Sequence, residues 1–311
     1  MAARQSYVSV RAATGNSAAD PAFITAVGAV MTESCLGPLA AKYHDVDGSR
    51  VQALLLHGWL DNAASFDALA PKLPFASWAL DLPGHGASDW LPHGADYYIW
   101  SYLSLIKQAL DALPSDGNKR VLIGHSMGSA IALQLAALWP EAVDALVLID
   151  GIGPLAGRDE DWLANMSKAL TWQPRASREF GSLEEAMQAR QKTAPLLSAA
   201  ALKALVERNL EACEQSSRLR WRTDPRLRAP SKMRLTEAMV ATMLRSVVCP
   251  VLVIRAEQGI IPKTFFSQRM AHLQCGRLAS LPGHHHLHME SEGSALVSDA
   301  VATFLQQEMS S

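Results

Sequence analysis

Val121-Leu-Ile-Gly-His-Ser-Met-Gly-Ser129 is the stretch of sequence that decides the fold. Its aliphatic start predicts a buried strand that stops at Gly124, and an Ala- and Leu-rich helical pattern begins at Ala130. Gly124–Gly128 fits G-x-S-x-G, in which a serine stands on a sharp turn between a strand and a helix. The glycines suit that turn because a Cβ at either position would collide with the neighbouring element. The stretch therefore predicts Ser126 as a nucleophile raised above a sheet.

The overall composition is that of a globular chain without a strong charge. The chain has 311 residues, is 49% hydrophobic and carries a formal net charge of -2 at pH 7. This length can hold a large core or two domains. The near-neutral charge gives no nucleic-acid footprint, and no apolar run reaches the roughly 18 residues that a membrane helix needs. We therefore expect no nucleic-acid partner and no membrane span.

The cysteines are four in number and widely scattered, at Cys35, Cys213, Cys249 and Cys275. They form no CxxC pair and no Cys/His spacing that suits a metal. Scattered cysteines of this kind are expected to be reduced thiols, which is the ordinary state in a reducing compartment. We therefore predict a cytoplasmic protein. Gly84-His-Gly86 is not a dinucleotide fingerprint, because the third glycine and the helix start are missing. We expect no metal and no organic cofactor.

The first 32 residues do not have the pattern of a core. They are rich in Ala, Ser, Thr and Gly, and Asp20-Pro21 interrupts any transit-peptide pattern. The apolar piece Ala22–Met31 lies too far from the start for a normal signal peptide. We expect a flexible leader over 1–32.

Short apolar runs alternate with helical patterns through most of the chain, which predicts a parallel sheet covered by helices on both faces. The predicted α/β core spans 33–150 and 246–311. Its strands are predicted at Leu39–Tyr43, Val51–Leu56, Ser77–Leu80, Val121–Ile123, Val143–Ile149, Cys249–Ile254 and Arg277–Leu281. Its helices are predicted at Ala63–Leu73, Tyr97–Leu113, Ala130–Leu138, Pro262–His272 and Ser294–Gln307.

The alternation stops over 151–245, where the sequence is helical and shows no strand pattern. Residues 151–246 carry 16 Lys and Arg against 11 Asp and Glu, with a basic cluster over 218–234. That cluster is either a solvated helical face or a rim that attracts anions. We predict an inserted helical cap, or lid, over 151–245.

Taken together, several landmarks resemble the α/β-hydrolase superfamily in their order and spacing, across about residues 36–308. They are His57-Gly58-Trp59, Asp81-Leu-Pro-Gly-His-Gly86, Gly124–Gly128, Pro250–Ile254 and His285–Glu290. Within that superfamily, three stretches resemble the serine hydrolase-like subgroup, namely His57–Asn62, Ser65–Asp67 and Arg255–Gly259. The resemblance implies an α/β-hydrolase fold with a mostly parallel sheet.

The resemblance places a catalytic base after the last strand, where the sequence has a cluster of four histidines over 283–290. A base is needed because a free serine hydroxyl is a poor nucleophile. Family sequences place the catalytic histidine five residues before a glutamate, so Glu290 selects His285. His284 and His286 remain as alternatives.

The acid of the triad is where this sequence departs from the family pattern. Relatives carry an aspartate where this chain has Gly259, and glycine cannot orient an imidazole. Three readings follow. In the first, Asp150 at the end of the strand before the cap supplies the acid. In the second, Glu257 reaches the histidine. In the third, the triad is incomplete.

The resemblance also implies an oxyanion hole formed by the backbone N–H groups of Trp59 and Met127, where donors stabilise a developing alkoxide. The predicted function is hydrolysis of a small carboxylic ester through an acyl-enzyme on Ser126. Related enzymes that open epoxides or remove halides use an aspartate nucleophile, so serine at this position argues against both activities. The oligomeric state stays open.

Alternatives remain within and beyond the enzyme class. A thioesterase, lactonase, C–C hydrolase or aminopeptidase uses the same machinery. A weakly active or non-catalytic binding protein on a hydrolase scaffold is a different class, because a fold does not fix a function.

Overall fold

The computed structural model describes residues 31–114, 117–214 and 216–309. The predicted leader over 1–32 lies outside the described residues apart from its last two. Of these, Met31 is buried and Thr32 begins a strand, so the described core starts slightly earlier than residue 33.

Eleven strands lie in the described part of the chain, most of them short and aliphatic. They are β1 (Thr32–Leu36), β2 (Leu39–His44), β3 (Val51–Leu56), β4 (Ala76–Leu80), β5 (Lys119–His125), β6 (Ala145–Ile149), β7 (Glu179–Phe180), β8 (Leu210–Ala212), β9 (Leu219–Trp221), β10 (Val251–Gln258) and β11 (Gly276–His284). Eight of them form the central sheet in the order β1-β2-β4-β3-β5-β6-β10-β11. The pairs β1–β2 and β2–β4 are antiparallel and the others are parallel. The predicted mostly parallel sheet is confirmed.

Helices cover both faces of this sheet. They are α1 (Leu103–Asp111), α2 (Met127–Leu138), α3 (Trp162–Thr171), α4 (Leu183–Gln191), α5 (Ala199–Arg208), α6 (Glu237–Ser246), α7 (Lys263–Met270) and α8 (Ser291–Met309). Successive strand residues point to opposite faces, so Leu54 and Leu55 of β3 enter two different clusters. Leu54 packs with residues of α1, α2 and α6, and Leu55 packs with residues of α8.

Two predicted helices differ from the structure, and one strand was not predicted. The helix expected over Ala63–Leu73 is instead two short 3-10 turns, Ala63–Phe66 and Ala70–Lys72. Pro71 falls in the second turn, and proline lacks the N–H that a continuing α-helix needs. The strand β1 was not predicted, and the helix expected from Tyr97 begins only at Leu103.

The prediction that 151–245 has no strands is wrong. We call this range the inserted segment. It contains β7, β8 and β9, which form a separate antiparallel sheet in the order β7-β9-β8. These strands have two or three residues each, which is too short for an alternating pattern to show. Every strand of the central sheet lies before residue 150 or after residue 250.

Partly buried polar contacts join the inserted segment to the core. Arg208 contacts both carboxylate oxygens of Asp81 at 3.0 Å. The Tyr97 hydroxyl donates to Asp224 at 2.7 Å, and the Trp59 indole N–H donates to the Leu227 carbonyl at 3.0 Å. The inserted segment is therefore held above the carboxyl ends of the strands, where Trp59 lies.

Candidate active site

Ser126 stands on a strained turn between β5 and α2. Its backbone has φ 50° and ψ -110°, a conformation that non-glycine residues rarely adopt. A Cβ at Gly124 would lie 2.4 Å from the Gly128 carbonyl oxygen, and a Cβ at Gly128 would lie 1.9 Å from the Leu56 carbonyl oxygen. Only glycine fits these two positions, which explains why the sequence pattern around the serine is so informative.

His285 is the histidine that the structure brings to the serine. It follows the end of β11, and its Nε2 lies 3.1 Å from Ser126 Oγ. This separation is within hydrogen-bond reach of the hydroxyl proton. The neighbouring His284 and His286 point elsewhere, toward Glu290 and Asp61.

Asp150 lies on the far side of the same imidazole. Its Oδ2 is 2.6 Å from His285 Nδ1, and its Oδ1 accepts a hydrogen bond of 3.0 Å from the Ala256 N–H. The side chain is fully buried, and its backbone has φ 41°. The carboxylate acts as a histidine partner and caps a backbone amide at the same time. Glu257, the second choice, is exposed and has no hydrogen-bond partner among the described residues.

Gly259 lies against the Asp150 carboxylate. A Cβ at position 259 would be 2.5 Å from Asp150 Oδ2 and 2.8 Å from Oδ1. The position at which the family pattern predicts an acid therefore has no side chain in this protein, and the Asp150 carboxylate fills the adjoining space. A glycine at 259 is therefore what leaves room for the Asp150 carboxylate.

Three further histidines brace the loops around the serine. His57 Nε2 accepts from the Leu82 N–H at 3.0 Å, and His85 Nε2 accepts from the Leu60 N–H at 3.3 Å. His125 Nε2 lies 2.9 Å from the His285 carbonyl oxygen. Burial lowers the pKa of His57, lowers that of His85 to about 3, and holds the pKa of His125 well below its ordinary value. These rings are therefore neutral at pH 7.

A cavity of about 360 Å³ opens above Ser126. Trp59 lines it from the core side, and the Met127 amide, the first of α2, has no acceptor within its helix. The inserted segment contributes cavity walls through Ala189, Arg190, Thr193, Asn209, Trp221, Thr223 and Arg228. The two predicted oxyanion residues thus lie beside the nucleophile, beneath side chains of the inserted segment.

Sequence reasoning missed the pair formed by Asp61 and Arg190. Arg190 Nη2 lies 2.8 Å from Asp61 Oδ1, and Asp61 is buried at the cavity wall. Burial alone would raise the pKa of Asp61, but His286 and Arg190 hold that pKa well below its ordinary value. The partners lie 129 residues apart, so no local pattern could have joined them. Asp61, His125 and His286 also lie close enough together to hold a metal ion.

Comparisons with known proteins agree with this geometry. The family model for the α/β-hydrolase fold matches residues 54–259. The chain therefore belongs to the α/β-hydrolase family. A serine hydrolase-like protein of Dictyostelium discoideum is 32% identical over 273 residues, which are 81% of this chain and 75% of that protein. Within the family, the chain belongs to the serine hydrolase-like subgroup, as predicted.

Solved structures share the same fold. A hypothetical protein from Pseudomonas aeruginosa PAO1 superimposes with a TM-score of 0.79 at 34% identity, covering 89% of this chain and 99% of that one. An esterase from Mycobacterium tuberculosis gives a TM-score of 0.69 at 21% identity, over 91% and 93% of the two chains. At that identity the second likeness shows the fold alone. Among the described residues, no helix is long and apolar enough to cross a membrane.

Proposed function

We propose that this protein hydrolyses small carboxylic esters through an acyl-enzyme on Ser126. One observation carries the proposal, namely the continuous contact from Ser126 Oγ through His285 to Asp150, at 3.1 and 2.6 Å. A serine, an imidazole and a buried carboxylate in this order form the constellation that activates a hydroxyl for acyl transfer. Membership of a hydrolase family supports the same conclusion.

The first half of the reaction forms the acyl-enzyme. His285 Nε2 takes the proton of Ser126 as the oxygen attacks the ester carbonyl. The carbonyl oxygen becomes an oxyanion, which accepts hydrogen bonds from the Trp59 and Met127 amides. The intermediate collapses, the C–O bond to the alcohol breaks, and the alcohol leaves with the proton from His285.

The second half returns the enzyme to its starting state. Water gives a proton to His285 as it attacks the acyl carbon, and collapse of the new intermediate releases the acid and restores Ser126. Asp150 stabilises the imidazolium in both halves, and its bond to the Ala256 amide keeps the carboxylate oriented. This account favours the first of the three readings of the acid.

The inserted segment is, in this proposal, a cap that shapes the acyl or alcohol pocket. Support comes from the side chains of 189–228 that line the cavity above Ser126. Its walls hold both apolar and polar groups, including Trp221 and Arg228, so the cap rather than the triad sets the preferred ester. The cytoplasmic location likewise stays a prediction, which fractionation of cells with an antibody would test.

The decisive experiment is covalent labelling followed by turnover of a substrate panel. A fluorophosphonate probe should modify wild-type protein at Ser126 and leave Ser126→Ala unlabelled. A panel of p-nitrophenyl esters of rising chain length should then show turnover by wild type only. Circular dichroism of both proteins controls for folding. Wild-type protein that is folded yet neither labelled nor active would favour the non-catalytic binding protein instead.

A further inference from the structure

A second cluster of reactive side chains lies beside the serine and histidine, on three separate parts of the chain. Asp61, His125 and His286 each offer one ligand atom, and these three atoms lie within 4.8 Å of one another. Asp61 Oδ2 is 3.4 Å from His286 Nε2 and 3.8 Å from His125 Nδ1. Ligands on a tetrahedral zinc ion, each about 2.0–2.2 Å from the metal, are roughly 3.4 Å apart. The spacing is therefore close to that of a metal site.

Two of the three residues each bury a polar atom that makes no hydrogen bond. Asp61 is 2% exposed and His125 is fully buried. Neither Asp61 Oδ2 nor His125 Nδ1 has a hydrogen-bond partner among the described residues. Leaving a buried polar atom unsatisfied costs about 1–3 kcal/mol, and more for a charged group. Such a pair of orphaned atoms needs an occupant that both can bind.

The tautomer of His125 decides what kind of occupant fits. Its Nε2 faces the His285 carbonyl oxygen at 2.9 Å, and that oxygen can only accept. Nε2 therefore carries the proton, which leaves a lone pair on Nδ1. Two electron-pair donors, the Nδ1 of His125 and the carboxylate of Asp61, thus face each other. A ligating histidine commonly donates its other N–H to a backbone carbonyl in this way.

The surroundings hold the ligand atoms in place and leave room between them. Arg190 binds the other oxygen of Asp61 at 2.8 Å, which orients the carboxylate. A Cβ at Gly58 would lie 2.9 Å from both Asp61 Oδ2 and His125 Nδ1, so the lack of a side chain at 58 keeps that space clear. His286 lines the cavity above Ser126, which gives an ion a path from solvent.

We propose that Asp61, His125 and His286 bind a divalent transition-metal ion of the zinc type, and that the bound ion reversibly inhibits the hydrolase. Two imidazole nitrogens and one carboxylate oxygen suit Zn²⁺, with water in the fourth position. The sequence did not suggest the site because its ligands lie at or beyond the ends of three different strands. Metal binding itself is independent of the proposed function, whereas inhibition rests on it.

Inhibition follows from the position of the ion in the cavity. The rings of His125 and His286 lie 4.7 and 5.0 Å, centroid to centroid, from the ring of His285. All three ligand residues line the same cavity as Ser126 and His285. An ion and its bound water would occupy the space in which the ester carbonyl has to meet Ser126, so the ester should be turned over more slowly, by about tenfold or more, when the site is filled.

The test measures binding and inhibition separately, on the full chain freed of metal with EDTA. Equilibrium dialysis with Zn²⁺ should give one ion per chain, and Co²⁺ should give the visible absorption of a low-coordinate site. His286→Gln should weaken Zn²⁺ binding by about 100-fold or more, because a direct ligand is lost. His93→Gln, at an exposed histidine outside the cluster, should bind as wild type does. Asp61→Asn provides a second ligand variant should His286→Gln fold poorly.

Ester turnover then reports on inhibition. Zn²⁺ should slow wild type and His93→Gln, with recovery on adding EDTA, and it should leave the rate of His286→Gln close to its own metal-free value. Binding lost in His285→Gln but kept in His286→Gln would overturn the proposal, because the ion would sit on the base. Absence of any stoichiometric Zn²⁺ binding would overturn it as well.

A third variant separates this inference from the proposed function. Ser126→Ala lacks the nucleophile but keeps all three ligands, so it should bind Zn²⁺ as wild type does. If wild type is active but binds no Zn²⁺, the metal site fails and the proposed function stands. If wild type and Ser126→Ala both bind one ion but wild type hydrolyses nothing, the proposed function fails, and with it the inhibition, while the metal site stands.

Discussion

The core and the inserted segment contribute to the cavity in different ways. The core supplies its reactive groups from the ends of β5, β6 and β11, in turns where Ser126 and Asp150 take positive φ values. The inserted segment supplies cavity walls and the contacts that hold it to the core. Its secondary structure consists of helices and of strands that have only two or three residues. The contrast indicates that the sheet fixes the geometry of the reactive groups, whereas, in the proposed function, the inserted segment sets selectivity.

Anchoring arginines connect these two regions. Arg208 and Arg190 of the inserted segment bind Asp81 and Asp61 of the core, and both carboxylates are buried. The basic cluster over 218–234 is mostly paired as well, with Glu179, Glu211, Asp224 and Asp96 among its partners. Most of these cations therefore serve structure, and the anion-attracting rim reduces to a few positions such as Arg228 at the cavity.

Removing the base on the core side should have the largest effect. His285→Ala leaves Ser126 without a proton acceptor, so turnover should fall by about 10⁶-fold. Steady-state ester hydrolysis measures the loss, and His284→Ala is the neighbouring control that should retain most activity. Comparable losses in both variants would show that the loop, rather than one histidine, was being measured.

The acid should come second. Asp150→Asn keeps the shape of the side chain but favours the wrong tautomer of His285, which should cost about 10⁴-fold in turnover. Glu257→Gln, at the exposed alternative, should change the rate little. A large loss of turnover in Glu257→Gln, together with little change in Asp150→Asn, would identify Glu257 as the acid in place of Asp150.

Breaking an anchor should affect stability rather than chemistry. Arg208→Leu leaves the fully buried Asp81 carboxylate without its cation, and loss of one partner of a buried pair costs about 3–5 kcal/mol. We expect the low end, because the Ala63 and Ala87 amides still donate to Asp81. Urea unfolding measures the change, with Lys203→Met at an exposed pair as the control. An unchanged unfolding midpoint would mean that this contact does not hold the two regions together.

Crowding the acid should have a smaller effect. A methyl group at Gly259 meets Asp150 Oδ2 at 2.5 Å, so Gly259→Ala should shift the carboxylate and lower turnover by about 10²-fold. The double variant Asp150→Gly with Gly259→Asp moves the acid to the position that relatives use. Turnover above that of Asp150→Gly alone would show that a carboxylate at either position can serve His285. Turnover no higher than that of Asp150→Gly would show that a carboxylate at 259 cannot serve His285 in this protein.

The smallest effect is expected on the side of the inserted segment. Arg228 is exposed at the cavity and has no ion-pair partner among the described residues. Because an exposed ion pair contributes about 0.2–1 kcal/mol, Arg228→Gln should raise KM at most about fivefold for esters that carry a carboxylate. The KM for neutral esters should not change. An equal change in KM for both ester classes would show that Arg228 maintains the shape of the cavity wall and does not attract the carboxylate of the substrate.

The sequence predicted most of the central sheet because buried parallel strands are continuous aliphatic runs. Ser126 was found for a different reason, since its turn admits only glycine at 124 and 128. The candidate acid could be narrowed to Asp150 or Glu257 because Gly259 removed the usual choice. Only the pairing of β6 with β10 in the structure shows that Asp150, the buried candidate, faces His285.

Other features could not be predicted, for physical reasons. The strands β7, β8 and β9 are too short to show a period, and the turns at 63–66 and 70–72 keep the composition of a helix. The pairing of Asp61 with Arg190 depends on how the inserted segment folds back on the core. The cluster of Asp61, His125 and His286 depends on two loops meeting the end of β5, which no spacing along the chain records.

The hydrogen bond from Ala256 to Asp150 has a spectroscopic consequence. The Ala256 amide proton points at one carboxylate oxygen while the other oxygen contacts His285, and Ala256 is buried within β10. This proton should exchange slowly with deuterium. Its chemical shift in a ¹⁵N-edited spectrum should change whenever the charge on the carboxylate–imidazole pair changes. That one signal would follow the pair from within the sheet, without a chromogenic ester and without a label in the cavity.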